Sequence, residues 1–498
     1  MVNAFGYRQE LRRTLRFFSV FSVAFSIISI TTGIFLNFGA GMAELGPLAI
    51  WTWPVAAVGQ TLVALVLAEL ATRIPLAGAN YQWGARLVGP GYGWFVGALG
   101  LLYTAVGLPG IMLLAAAPLL QYALGIDSAS GQTTLLIALV ILTVAYLVNV
   151  VSVQLAARVN NVAVFTEVIG TVVVAVVLFV LWGNDAKPSG HGMGFLFSHS
   201  RPPGQSWWYA VALASLIGIY TIVGFETAAD MAEEAIDARR AVPRAMIGSV
   251  VISAVLGMVV LIGFTVAIPS GGKVFEQGGL PGVFEYWLGA GLARVFIGVV
   301  VFSMFALTVV GGAANARLLY AMSRDNMLPG SRWLRQINPA TRTPVPALAV
   351  SWVLCIAVML YGYNSGNAFG TLVGATALVP FLIYLLTVVA FGVKRRRLER
   401  LPGAFHLGRW AAPVFVATLA WLVLVVLVLS LPEEFHKADY YVLGGLALAA
   451  LWYVAVLRGR IANGRAGAGT HFALPEPETL SGATAAEVPG TPARSVEA

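Results

Sequence analysis

Apolar residues in this chain come in runs long enough to surround a whole helix, rather than in the one-sided stripes of a water-soluble fold. From Phe17 to Leu457, windows of 18 or more predominantly apolar residues recur, the length a helix needs to cross a bilayer. The runs predict about twelve membrane-spanning helices, at 17–43, 48–71, 91–124, 132–152, 158–183, 207–230, 244–268, 290–320, 345–362, 367–393, 411–431 and 440–457. Two of the runs are interrupted by small, polar or charged residues near membrane depth: the first by TTGIF, Thr31 to Phe35, and the sixth by GFETAAD, Gly224 to Asp230. Non-helical backbone survives at that depth only where protein buries it or where it lines a cavity.

The two interrupted runs are five helices apart. A repeat with an odd number of crossings places its second copy upside down in the membrane. The pattern therefore predicts an all-α integral membrane protein with a five-plus-five inverted repeat, helices one and six broken, and two further helices at the C-terminal end. In secondary transporters, paired breaks of this kind mark a binding site between the repeats.

Composition supports the membrane assignment: 59% of residues are hydrophobic and 10% charged, where a soluble domain carries about 25% charged residues. The net charge of +8 bears on topology, not on nucleic acid. With the N-terminus inside, only Lys187, Arg201, Lys273, Arg294 and Lys437 of the 30 Lys and Arg residues fall outside or at outer helix ends, as the positive-inside rule requires. That places both termini in the cytoplasm and makes the protein a multi-pass component of the cell (cytoplasmic) membrane. The chain divides into an N-terminal segment 1–16, a membrane domain 17–458, and a tail 459–498 whose composition predicts disorder. The basic run Lys394–Arg400 reads as the stop after the tenth helix, with a phospholipid patch as the alternative. Cys355, the only cysteine, sits in an apolar run, so neither a disulfide framework nor a thiolate metal site is expected. His191 and His199 lie in a Gly- and Pro-rich outer loop and read as solvated. With no histidine in a span and no nucleophile–base grouping, an enzyme is not expected, nor any cofactor or metal.

Ionisable residues inside a span are costly and mark function by default; here they are Glu69, Glu167, Glu226 and Asp230. Glu69 precedes Arg73 by four residues, a spacing that pairs them on one helix face, for structure or for gating. Glu226 follows the break at Val223-Gly224-Phe225, where the freed carbonyls of Ile222 and Val223 and the carboxylate would attract an ammonium group, with Phe225 over it. Its alternative role is to tie the broken helix to a neighbour. Asp230, Glu233 and Glu234 are expected to meet Arg239, Arg240 and Arg244 as an inner salt network. In the first helix, Gly33 allows close backbone approach, and the amides from Gly33 to Phe35 would form a positive helix end able to hold a carboxylate. Ser26, Ser29, Thr31 and Thr32 add hydroxyls. Glu167 lies mid-span in the fifth helix, seven residues after Asn160; a carboxylate withdrawn from water there is the candidate proton carrier, with a helix-to-helix hydrogen bond as its alternative.

These motifs carry a family resemblance. TTGIF resembles the G-S-G-[IV]-F break of the amino acid–polyamine–organocation transporters. Ala68 to Pro90 (AELATRIPLAGANYQWGARLVGP) resembles the signature after their second helix. Gly224 to Ala245 resembles their sixth-helix motif, and Asn315 to Pro329 (NARLLYAMSRDNMLP) the end of their eighth helix. Phe21 to Ile34 leans toward the amino acid/choline branch, which includes GABA and choline permeases. The resemblance implies substrate between helices one, three, six, eight and ten. It implies an amine near carbonyls around Ser29, Ile30 and Ile222 to Gly224, a carboxylate near the amides of Thr32 to Ile34, and Phe225 as lid. Thr31 departs from the first glycine of the family break, and Glu167 stands where some proton-coupled members carry lysine.

The expectation is thus a secondary active permease for an amino acid or small amine, working by alternating access as a proton symporter in the lipid bilayer. A choline- or polyamine-type cation permease or an exchanger is the alternative, and a non-transporting membrane sensor a remote one.

Overall fold

The computed structural model describes residues 5–126, 130–184, 191–269, 273–365, 367–395 and 405–467. Their regular secondary structure is helical. Ten stretches are long and apolar enough to cross a membrane. The first, Phe17–Arg73, contains two crossings, and the interrupted sixth helix adds another, giving twelve among the described residues.

In chain order, α1 is two half-helices, Phe17–Ile28 and Ile30–Leu45, and α2 is Thr52–Arg73. A short helix, Ala79–Leu87, leads to α3, which runs from Pro90–Ile111 through a π turn at Met112–Ala116 to Ala117–Leu124. α4 is Gly131–Val151 and α5 Val153–Gly183. α6 is interrupted: Trp207–Ala214 and Leu216–Ile219 form its first half and Thr227–Asp230 its second. α7 is Ala238–Val266, α8 Lys273–Arg324, α9 Val345–Ser365, α10 Asn367–Lys394, α11 Ala411–Ser430, and α12 Glu433–Trp452, continued by further turns to Ala462.

The broken helices run antiparallel: the first half of α1 packs on the second half of α6, and the second half of α1 on the first half of α6. This head-to-tail meeting of helices five apart is the arrangement that an inverted repeat generates. Where the half-helices meet, side chains of one press on glycines of the other. A Cβ on Gly33 would lie 2.1 Å from Thr221 Oγ1, and one on Gly224, whose φ is +83°, would lie 2.0 Å from Ile27 Cγ2.

Three details differ from the sequence expectation. The break in α1 lies at Ser29 (φ 36°, ψ 83°), ahead of Thr31–Phe35, and Gly33 is an ordinary helical residue of the second half. Residues 48–51 belong to a 3₁₀ turn, Gly46–Trp51, before α2. The segment from Lys273, expected as loop, is helix with kinks at Gly279 and Gly289. Its Phe284 packs against Phe35, Phe264 and Phe296, so that apolar contact, not membrane length, fixes it.

The first and last described segments reach the same face. The Tyr7 hydroxyl donates to Asp325 Oδ1 (2.7 Å), and the Gly467 N–H donates to the Asp325 carbonyl (2.9 Å). An even number of crossings requires this. Residues 468–498 of the expected tail lie outside the described residues, as do 396–400 of the basic run.

Candidate functional site

A helix broken at membrane depth leaves the amides of its second half without acceptors. In α1 the first closed turn is Gly33 N–H to Ser29 O (3.0 Å), so the open amides belong to Ile30, Thr31 and Thr32, earlier than the Gly33–Phe35 expected. It also means that the Ser29 carbonyl is occupied. One amide is capped from α5: Glu167 Oε1 accepts from Thr31 N–H (3.1 Å), Thr31 Oγ1 (2.7 Å) and Ser29 Oγ (3.3 Å). Ser29 Oγ also lies 2.6 Å from Thr32 Oγ1. Glu167 is 2% exposed, and no ion pair reaches it among the described residues. The carboxylate is thus held by two hydroxyls and one amide at a helix N-terminus, a setting that accommodates negative charge.

In α6 the chain is unwound between Ile219 and Thr227. The carbonyls of Ile222 and Val223 accept no backbone hydrogen bond among the described residues. The opening is braced from α10. The Tyr384 hydroxyl accepts from Gly224 N–H (2.9 Å) and donates to Glu226 Oε2 (2.5 Å), while the Tyr384 ring stacks on Phe225 at 5.5 Å. Glu226 is thus bonded to a neighbouring helix, and Phe225 is fully buried.

Between these breaks lies a small cavity of about 70 Å³, room for several waters. Its walls come from α1 (Ile27, Ile28, Thr32, Gly33), α3 (Tyr103, Thr104, Gly107, Leu108, Ile111), α6 (Tyr220, Thr221, Val223, Thr227), α8 (Leu307, Gly311, Ala314) and α10 (Thr376). These are the five helices that the family resemblance implied. Of the expected substrate contacts, Thr32, Gly33 and Val223 line it. Ser29, Ile30, Thr31, Ile34, Ile222, Gly224, Phe225 and Glu226 stand around it without lining it. The lining contains no Asp, Glu, Lys, Arg or His, but seven hydroxyl-bearing side chains. Tyr103, Tyr220 and Thr376 were not singled out from sequence, because a lone aromatic or threonine in an apolar run looks like any other packing residue.

Ile111 and Tyr220 also line a second cavity, shared with Leu36, Asn37, Leu216 and Phe435, which lies toward the face opposite the termini. The terminus-bearing side is sealed in layers. Below the Glu226–Tyr384 brace, Arg317 pairs with Glu234, and Arg324 with Glu233 (3.0 Å). Glu233 also accepts from Ala77 N–H (3.0 Å). The partners of these two carboxylates are therefore α8 arginines, not the expected Arg239, Arg240 and Arg244. Tertiary pairing across the bundle replaced the local pairing that sequence proximity suggested. Asp230 faces Gly78 and Arg317, while Glu69 pairs with Arg73 as spaced and accepts from Leu407 N–H (3.3 Å).

Under this layer lies the N-terminal segment. Thr14 and Leu15 donate to the Glu234 carbonyl (both 3.0 Å), and Ile236 N–H returns to the Leu15 carbonyl (2.8 Å). Tyr81 joins Tyr7 on the Asp325 carboxylate (2.7 Å), and the Arg324 guanidinium lies 3.6 Å from the Tyr7 ring centre. The segments 68–90, 224–245 and 315–329 thus converge on one seal. At the other face, His191 is not simply solvated: it stacks on Phe195 at 3.8 Å, and burial lowers its pKa below the usual imidazole value.

Comparison with known proteins agrees with this architecture. A family model described as amino acid permease matches residues 15–453. The Arabidopsis thaliana amino-acid permease BAT1 is 25% identical over 86% of this chain and 87% of its own length. The GABA-specific permease of Saccharomyces cerevisiae is 25% identical over 86% of this chain and 78% of its own. An uncharacterised amino-acid permease of Schizosaccharomyces pombe is 25% identical over 86% of this chain and 79% of its own. With the family match spanning nearly all of the membrane domain, the chain belongs to the amino acid permease family.

Proposed function

We propose that this protein carries a small zwitterionic amino acid across the cytoplasmic membrane by alternating access, coupled to a proton held at Glu167. The observation that carries the proposal is the cavity at the meeting of the two broken helices, lined by hydroxyls and without a fixed charge. A zwitterion has no net charge to balance. Its carboxylate suits the open amides at the start of the second half of α1, and its ammonium group the carbonyls of Ile222 and Val223, since helix ends and freed carbonyls present opposite partial charges. The relatives named as amino-acid and GABA permeases support the same substrate class.

The bias of Lys and Arg makes the terminus-bearing face cytoplasmic. On this reading, Glu226–Tyr384, the Glu233–Arg324 and Glu234–Arg317 pairs and the N-terminal segment would form the closure on the cytoplasmic side. The second cavity, which shares Ile111 and Tyr220 with the first, would then lie on the outer side. A polyamine-type permease would need an anion facing the cavity, and Glu226 instead holds Tyr384.

Uptake by purified protein in liposomes tests this. Labelled neutral amino acids, GABA, arginine, putrescine and choline are each supplied with and without an inward proton or sodium gradient. A neutral amino acid or GABA driven by the proton gradient is expected. Uptake of choline or putrescine alone would contradict the substrate class. Uptake indifferent to both gradients but accelerated by internal substrate would make the protein an exchanger. No uptake of any compound would favour the sensor.

A further inference from the structure

A proton held at Glu167 needs a way to the cytoplasm, and the structure contains buried polar groups with no other evident purpose. Ser22 Oγ and both side-chain polar atoms of Asn160 lack a hydrogen-bond partner on the protein, although the two residues are 0% and 1% exposed. Buried polar groups are nearly always paired, and those the protein does not pair are satisfied by internal water. Their positions are related to the Glu167 cluster. Ser22 precedes Ser29 by seven residues on α1, and Asn160 precedes Glu167 by seven on α5. Seven helical residues advance about 10 Å and return to within roughly 20° of the same face. Ser22 and Asn160 therefore repeat the Ser29–Glu167 juxtaposition two turns nearer the terminus-bearing face, where α1 packs along α5. Next to them, Asn161 Nδ2 donates to Ser19 Oγ (3.1 Å), leaving Asn161 Oδ1 without a protein donor. Ser19 and Asn161 are both partly exposed.

We propose that Ser22 and Asn160 hold water that conducts the proton between Glu167 and the cytoplasm, with the Ser19–Asn161 pair as the path's inner mouth. The inference rests on Glu167 as the coupling residue. In the release direction, the Glu167 carboxylic acid gives its proton to the nearest water. The proton moves on as an excess proton along the water held by Asn160 and Ser22, and the carboxylate returns to its bonds with Thr31 and Ser29. Neither Asn160 nor Ser22 changes charge; both are positioning residues for water. The groups facing the Glu167 carboxylate are Ser29 and Thr31 of α1 and Ser303 of α8, while the Thr171 hydroxyl of its own helix donates to the Glu167 backbone carbonyl. The neighbouring helices contribute no Asp, Glu, Lys, Arg or His over 22–37 of α1, 131–151 of α4, 245–266 of α7 or 295–316 of α8. Tyr146 of α4 is engaged with Ser351. Within those ranges no other ionisable side chain flanks the path; nearer its inner mouth lie Arg16 before α1, Arg158 of α5 and Arg244 of α7.

Infrared spectroscopy of the full-length protein in liposomes reads the step without any substrate. The carboxylic acid band lost in Glu167→Gln is assigned to Glu167, and its shift on transfer to D₂O times the arrival of the exchanging proton. Asn160→Leu, similar in size but unable to hold water, is expected to slow that exchange by an order of magnitude, and Ser22→Ala to slow it less. Asn160→Ser, which keeps a hydroxyl and makes room, is expected to stay near the wild-type rate. Thermal melting and the amide band report that each variant is folded. Exchange at the wild-type rate in folded Asn160→Leu would overturn the path and leave Glu167 as the coupling residue. Absence of any Glu167 acid band at every pH would overturn the coupling reading and the path with it.

Discussion

Ser29 adopts φ 36° with a side chain attached, a conformation costing on the order of 1–3 kcal/mol that persists only where its surroundings enforce it. Those surroundings are Glu167 and Thr32, which bind its hydroxyl. This is why the break in α1 was misplaced by two residues from sequence. Glycine advertises backbone freedom, whereas a strained serine depends on contacts 138 residues away. Gly224 was legible because its φ of +83° needs no such help. Gly224→Val should abolish uptake while the protein still inserts and purifies, since the new Cβ meets Ile27 and the branched residue resists positive φ. Unchanged uptake would contradict the broken-helix geometry. Tyr384→Phe removes the hydroxyl that serves both Gly224 and Glu226. Leaving such partners unpaired costs about 1–3 kcal/mol, to be read as a lower melting temperature and a leakier seal. Glu167→Gln keeps the size and loses the titration, so the pH dependence of uptake should flatten; an intact profile would place the proton elsewhere.

At the scale of elements, most crossings were legible because an uninterrupted apolar run has only one fate in a bilayer. The helix from Lys273 and the docking of residues 5–15 were not, because short segments owe their structure to what they touch. Phe5 and Tyr7 are buried, yet nothing in their own sequence announces a partner 318 residues away. The salt network was half legible: the acids were identified, but their arginines sit on α8, where Arg317 and Arg324 share a face by their seven-residue spacing. If the N-terminal segment latches the cytoplasmic side, Tyr7→Phe combined with Asp325→Asn should favour opening there. The check uses Thr227→Cys in a Cys355→Ala background, which removes the only native thiol. Labelling from the cytoplasmic side should accelerate when the latch is cut. An unchanged rate would make the segment a passive cover.

At the scale of the whole molecule, two half-helix pairs meeting antiparallel create a cavity that belongs to neither repeat, closed on one side by three sequence segments that converge only in the folded state. Alternating access requires that the same lining residue be exposed to each side in turn, since one site serves both. Thr104 lines the cavity and its hydroxyl bonds only to its own helix, so Thr104→Cys in the Cys355→Ala background is a mild probe. The decisive measurement is its alkylation in oriented liposomes by a membrane-impermeant maleimide, applied from either side, with and without a transported amino acid. The account predicts reaction from both sides, slowed from each by the substrate. Reaction from one side alone, or reaction indifferent to a compound that the protein transports, would contradict a single central site that alternates between the two faces.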